Sequence, residues 1–244
     1  MEIASANPSV EPAAVCPLCD GAGFVYPRNG GGKVNYSRVV PCKCKKEELM
    51  RQKVASMLKH CQLPEATENM TFKNFKVDSV TKEAYGAAQK IANEDELKWL
   101  TLIGPVDVGK THLAVAICRR WLERGKPARY AYVPLLLDEL RAGFELEGDY
   151  SYRAKFEFFC NVPLLVLDDL GVERSTGFAR ENLNTIIDYR YMHALPLVVT
   201  LNKRIDEIPG DDEHRIASRL QRFPEGKVVA IEGEEYRLRD KRGK

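Results

Sequence analysis

No stretch of this sequence approaches the roughly 20 consecutive apolar residues that a membrane-spanning helix needs. Residues 1–14 also lack the basic-then-apolar pattern of a secretion signal. No membrane-spanning helix is therefore expected, and a cytoplasmic location is. Cysteine is neither absent nor paired off. Seven residues, an odd number, argue against a disulfide framework and for thiols, some of them metal-bound. Neither sign of charge dominates, and a net charge of +2 permits an anionic partner without demanding one. No internal repeat occurs, which sets aside solenoids and propellers. What is left is an ordinary globular composition, 44% hydrophobic and 30% charged over 244 residues. That length suits one sizeable domain and a small appendage.

Residues 1–13 are small, polar and proline-containing, and read as a disordered tail. Four cysteines, Cys16, Cys19, Cys42 and Cys44, fall within the next thirty or so positions, around a glycine-rich turn, Asn29 to Gly32, that predicts a small hairpin. A helix is expected over 45–60, ended by Leu63-Pro64. The expected organisation is a cysteine module and helix over 14–62, a linker over 63–78, a large domain over 79–238 and a basic tail over 239–244. Phe72 and Phe75 in the linker are expected to dock on the large domain. From residue 79 onward helices alternate with strands at 99–103, 128–133, 163–168, 196–200 and 227–232. Such alternation predicts a five-stranded parallel sheet with helices on both faces.

Within that pattern, Gly104-Pro105-Val106-Asp107-Val108-Gly109-Lys110-Thr111 follows the apolar run Trp99 to Ile103 and precedes a helical stretch beginning His112-Leu113-Ala114. G-x-x-x-x-G-K-[ST] between strand and helix is a phosphate-binding loop. Its glycines let backbone N–H groups turn onto phosphates, Lys110 reaches the terminal phosphates, and Thr111 offers a hydroxyl to magnesium. Asp107 is unusual there: a carboxylate beside a polyphosphate is expected to weaken nucleotide binding.

Leu164-Leu165-Val166-Leu167 ends in Asp168-Asp169. A buried strand ending in acids places Asp168 to hold magnesium and Asp169 to orient or deprotonate the attacking water. Alone, the same segment reads as a strand followed by an Asp-rich turn. The four cysteines supply thiolates for one closed zinc site, whose coordination would replace the core that about 30 residues cannot build. Unliganded thiols or a redox pair are the alternatives. Cys61, Cys118 and Cys160 are expected as small core residues.

These motifs resemble the AAA+ ATPases, with Gly104 to Thr111 as Walker A and Leu164 to Asp169 as Walker B. The resemblance implies that Asn202, after the strand Val198-Val199-Thr200-Leu201, stands at sensor 1 and bonds the attacking water or the γ-phosphate. By itself it is equally a turn asparagine. Arg215-Ile216-Ala217-Ser218-Arg219-Leu220 resembles the arginine-finger helix of initiator-type members, which makes Arg219 the residue donated to a neighbour's ATP, with Arg215 second. Outside the family, Arg219 reads as a surface residue paired with Asp212 or Glu213. The chain past the last strand is too short for the full C-terminal lid of larger members. Two helices expected between the second and third strands, Leu135 to Phe144 and Tyr150 to Phe159, resemble the insertion with which initiators and loaders track DNA; an ordinary long crossover is the alternative.

Gly109 to Ala114, Tyr132-Val133-Pro134 through Leu140, and Leu167 to Gly171 together resemble the DnaC/DnaI/IstB group. That group implies a slow, partner-regulated ATPase using ATP, Mg2+ and, through the cysteine module, Zn2+. The expected role is loading the hexameric replicative DNA helicase onto single-stranded DNA, with the protein a homo-oligomer when ATP is bound. A helper ATPase of an insertion-sequence transposase, or an ATP-switched adaptor, is the alternative.

Overall fold

The computed structural model describes residues 16–233; the expected tails over 1–13 and 239–244 lie outside them. The chain divides into two units, 1–53 and 54–244, and the division falls within helix α1 (Lys43–Cys61).

In the first unit, β1 (Phe24–Val25) pairs antiparallel with β2 (Val40–Pro41), and an isolated bridge joins Arg28 to Val34. Gly32 N–H donates to the Asn29 carbonyl at 2.8 Å and closes the turn in a left-handed conformation, φ +79°, that a glycine adopts without strain. This is the expected hairpin. Among its described residues the buried side chains of this unit are Cys19 and Cys42, so thiols stand where a larger module would place aliphatic residues.

The second unit is built on β3 (Trp99–Ile103), β4 (Ala128–Tyr132), β5 (Leu164–Leu170), β6 (Leu197–Leu201) and β7 (Gly226–Ala230). All are parallel, in the order β4-β5-β6-β3-β7. Continuous apolar strands follow from burial on both sides. Along β5, Leu164 and Val166 join the core under α2 (Lys82–Asn93) and α3 (Lys110–Glu123). Leu165 and Leu167 join the opposite core, under α4 (Val133–Ala142), α5 (Tyr152–Asn161), α6 (Gly177–Met192) and α7 (Arg215–Arg222). Phe72 and Phe75 pack on the first of these cores, and Cys61, Cys118 and Cys160 are buried core residues. The parallel five-stranded sheet covered on both faces is thus the architecture the sequence predicts.

Strand order was not legible from the alternation, and it matters for the site. Because β6 lies between β3 and β5, the residue just past β6, Asn202, stands between the loop after β3 and the acidic end of β5. The last helix starts only at Arg215. Asp211 is buried and its carboxylate accepts from Ile216 N at 3.0 Å and Ala217 N at 2.8 Å, so it caps the helix from outside it.

Candidate nucleotide site

β3 runs into the loop 104–109, and α3 begins at Lys110. Two glycines are sterically required. A Cβ on Gly104 would lie 2.5 Å from the Ile231 carbonyl oxygen, and one on Gly109, at φ +98°, would lie 2.8 Å from the Phe75 ring. Lys110 folds back over the loop, its Nζ donating to the Gly104 carbonyl at 2.9 Å and the Pro105 carbonyl at 2.5 Å. Burial draws the Lys110 ammonium below its ordinary range, while Asp169 and Asp168 oppose that shift. An ammonium thus poised over its own backbone carbonyls fits the terminal phosphates of a nucleotide.

Asp168 is 2% exposed and accepts hydrogen bonds from three hydroxyls. Thr111 Oγ1 lies 3.2 and 3.1 Å from its two oxygens, Tyr130 Oη 2.6 Å from Oδ2 and Thr200 Oγ1 2.7 Å from Oδ1. Burial pushes its carboxyl above the usual carboxylate range, and the Tyr130, Thr200 and Thr111 donors pull it back. The Tyr130 phenol is itself pushed up by burial and by Asp168, so it stays protonated and donates. The Thr111 hydroxyl and Asp168 carboxylate form an oxygen-only donor pair that fits magnesium.

Asp169 faces the other way. It sits in the left-handed region at φ +59°, its N–H donates to Thr200 Oγ1 at 2.8 Å, and its Oδ1 accepts from Asn202 Nδ2 at 2.9 Å. Asp169 and Asn202 line one cavity of about 510 Å³ with Val106 to His112. The opposite wall comes from the linker, through Met70, Asn74, Phe75 and Lys76. His112 fixes that wall, its Nε2 lying 2.9 Å from the Thr71 carbonyl and its ring edge-on to Phe75 at 5.1 Å. Asp107 lies in the loop at φ +62°, another left-handed position. Val108 is buried in the core, whereas Val106 is exposed.

Sequence reasoning missed Tyr130, Thr200 and the linker wall. Thr200 had a visible signal, a hydroxyl in an otherwise apolar strand end; Tyr130 had none. Arg219 is not among the residues lining the cavity. Its Nε bonds Asp188 Oδ1 at 2.8 Å and its guanidinium lies 4.7 Å from the Tyr191 ring centroid. Arg215 bonds the other Asp188 oxygen at 2.7 Å. Asp188 on α6, not Asp212 or Glu213, is therefore the partner; Asp212 pairs with Arg180.

In the first unit, Cys16, Cys19, Cys42 and Cys44 bring their sulfurs within 4.8 Å of one another. The 3.9 Å Cys16–Cys42 and 3.4 Å Cys19–Cys44 separations bracket the edge of about 3.8 Å that four thiolates at roughly 2.3 Å from one zinc define. The crowding is also visible in proton affinity. The hydrogen bond with Cys19 pushes the Cys44 thiol up to about 12, while a backbone hydrogen bond at Leu18 draws Cys16 down to about 7. The four sulfurs fit a metal such as zinc, which would cross-link the hairpin to the start of α1.

The family model for IstB-like ATP binding proteins matches residues 30–244. The chain belongs to that family. As an IstB-like protein it is an AAA+ P-loop ATPase of the DnaC/DnaI/IstB superfamily, and it hydrolyses ATP. It is 27% identical over 198 residues to the insertion sequence IS5376 ATP-binding protein of Geobacillus stearothermophilus, covering 80% of this chain and 77% of that one. It is also 27% identical over 175 residues to the replicative helicase loader DnaC of Escherichia coli strain K12, covering 70% and 71%. The crystal structure of DnaI superposes with a TM-score of 0.58 at 25% identity, over 71% of this chain and 94% of that one. Among the described residues of this IstB-like chain no helix is long and apolar enough to cross a membrane.

Proposed function

We infer that this protein is an ATP-switched assembly factor whose subunits associate across bound ATP and whose hydrolysis releases a DNA-processing client. The observation that carries this reading is the composition of the cavity. Among the described residues its lining cations are Lys76 and Lys110, and it contains no arginine. Charge spread over a transferring phosphoryl group calls for a further cation, and an arginine supplied by a neighbour is a common source. Arg219 stands outside its own cavity, on α7, and is the residue proposed to reach a neighbour's γ-phosphate.

Within one site, Lys110 and the loop N–H groups hold the phosphates, and Asp169, aimed by Asn202, takes the proton of the attacking water. Thr111 and Asp168 would hold magnesium, which would supply charge neutralisation for the phosphates when bound. Turnover is slow until a partner completes the site.

The family model and the IS5376 relative favour a transposase of an insertion sequence as the client. Loading a hexameric replicative helicase onto single-stranded DNA, the role the sequence motifs put first, is supported by the likeness to DnaC and DnaI and by a cysteine module ahead of the ATPase core. Tagged protein mixed with each purified candidate, with and without ATP, separates the two. The expected result is ATP-dependent capture of one client, lost in Lys110→Ala. Capture of neither, or capture indifferent to ATP, would contradict the proposal.

A further inference from the structure

The cysteine module carries an exposed surface that zinc binding does not explain. From residue 21 to residue 46 the sequence holds six Lys and Arg and no Asp or Glu. Arg28, Lys33 and Arg38 are exposed on the hairpin and make no ion pair among the described residues. Phe24, Tyr26 and Arg28 alternate with the half-buried Val25 and Pro27, so the period of an extended strand puts two aromatics and a guanidinium on one outward face. Tyr36, 74% exposed, lies against Tyr26 with ring centroids 5.1 Å apart at 58°. A module that buries cysteines and displays three aromatic rings among cations that make no ion pair with the described residues, Arg28 bonding only the Gly32 carbonyl, has not hidden its apolar surface. It has arranged that surface beside positive charge.

We propose that this hairpin face binds single-stranded nucleic acid, with bases stacking on Tyr26 and Tyr36 and backbone phosphates held by Arg28, Lys33 and Arg38. Aromatic faces beside a basic track suit a flexible polyanion whose bases are unstacked. An acidic protein partner would satisfy the cations and leave the rings without planar groups to cover them. The site is separate from the nucleotide cavity and stands whatever client the ATPase serves.

The test measures anisotropy of a labelled oligothymidylate with the full chain, without nucleotide, over a range of salt. Tyr26→Ala/Tyr36→Ala is expected to weaken binding about tenfold or more, while Tyr26→Phe/Tyr36→Phe retains it. Arg28→Gln/Arg38→Gln is expected to make the log affinity against log salt slope shallower by about 1.4, for two lost phosphate contacts on a single strand. Zinc content and basal ATP hydrolysis, measured on every variant, are expected to be unchanged. Wild-type affinity in the Tyr→Ala variant, or an unchanged slope in the Arg→Gln variant, overturns the assignment. So would a transposase or helicase whose capture falls in these variants while oligonucleotide binding does not.

Discussion

Asn202 Nδ2 donates to Asp169 Oδ1 at 2.9 Å, across the gap between the ends of β6 and β5. The pairing aims the carboxylate into the cavity and ties it to the strand that separates it from the phosphate loop. Asp169→Asn is expected to lower turnover by at least about a hundredfold, the usual scale for a general base, with ATP binding intact. Asn202→Ala is expected to lower turnover less, roughly tenfold, because the carboxylate remains but is no longer aimed. Turnover and nucleotide titration on both variants check this; normal turnover in Asp169→Asn would remove the site assignment.

Asp107 combines a left-handed backbone, φ +62°, with a negative charge in the loop proposed to meet the phosphates. Glycine relieves both. Asp107→Gly is expected to bind ATP about fivefold more tightly, a gain of roughly 1 kcal/mol. Calorimetric titration giving equal or weaker binding would contradict it.

Among its described residues the cysteine module buries only Cys19 and Cys42, so its sulfurs stand in for an aliphatic core. Protein purified without chelator is expected to contain about one equivalent of zinc, and Cys42→Ser to lose it. Hydrolysis of ATP should persist in that variant, since the residues lining the nucleotide cavity lie in the other unit. Metal analysis below about half an equivalent in the wild type would count against the four-sulfur site.

Arg190 on α6 is fully buried and makes no ion pair with a carboxylate among the described residues. It donates instead to the carbonyls of Phe159, Cys160, Pro163 and Pro196, pinning the end of α5 to the starts of β5 and β6. Burial draws its guanidinium down to about 9. Arg190→Leu leaves those carbonyls unpaired and is expected to destabilise the fold by roughly 3 kcal/mol, read from urea unfolding. Wild-type stability would contradict the role.

Much of this was legible in the sequence, for physical reasons that differ by element. The apolar run of β5 followed by two acids, and the glycines around Lys110, are local patterns whose chemistry depends on spacing. They announced the sheet, in which Lys110 and Asp169 come to line one cavity. Arg190 was not legible, because nothing along the chain separates it from the exposed Arg180 nearly three turns earlier on the same helix. Tyr130 was equally silent, since its partner Asp168 is 38 residues away and meets it only through β4–β5 pairing. The partner of Arg219 was misread for the same reason: Asp212 and Glu213 are near in sequence, but α6 brings Asp188 near in space. Asp188 also gives the arginine a resting place. Asp188→Ala is expected to raise turnover a few-fold at limiting protein concentration, by freeing the side chain for a neighbour; reduced turnover would show that Asp188 positions Arg219 rather than restrains it.

The central claim, that each ATP is hydrolysed with an arginine from the next subunit, is tested most directly by mixing two inactive variants. Lys110→Ala keeps Arg219 but loses its own site; Arg219→Ala keeps its site but loses the arginine. Each is expected to be inactive alone, with Arg219→Ala still binding ATP. Mixed in equal amounts, they are expected to recover a substantial fraction of wild-type turnover, because an intact site then meets an intact arginine. No recovery from variants that still associate, or full activity in Arg219→Ala alone, would contradict the account.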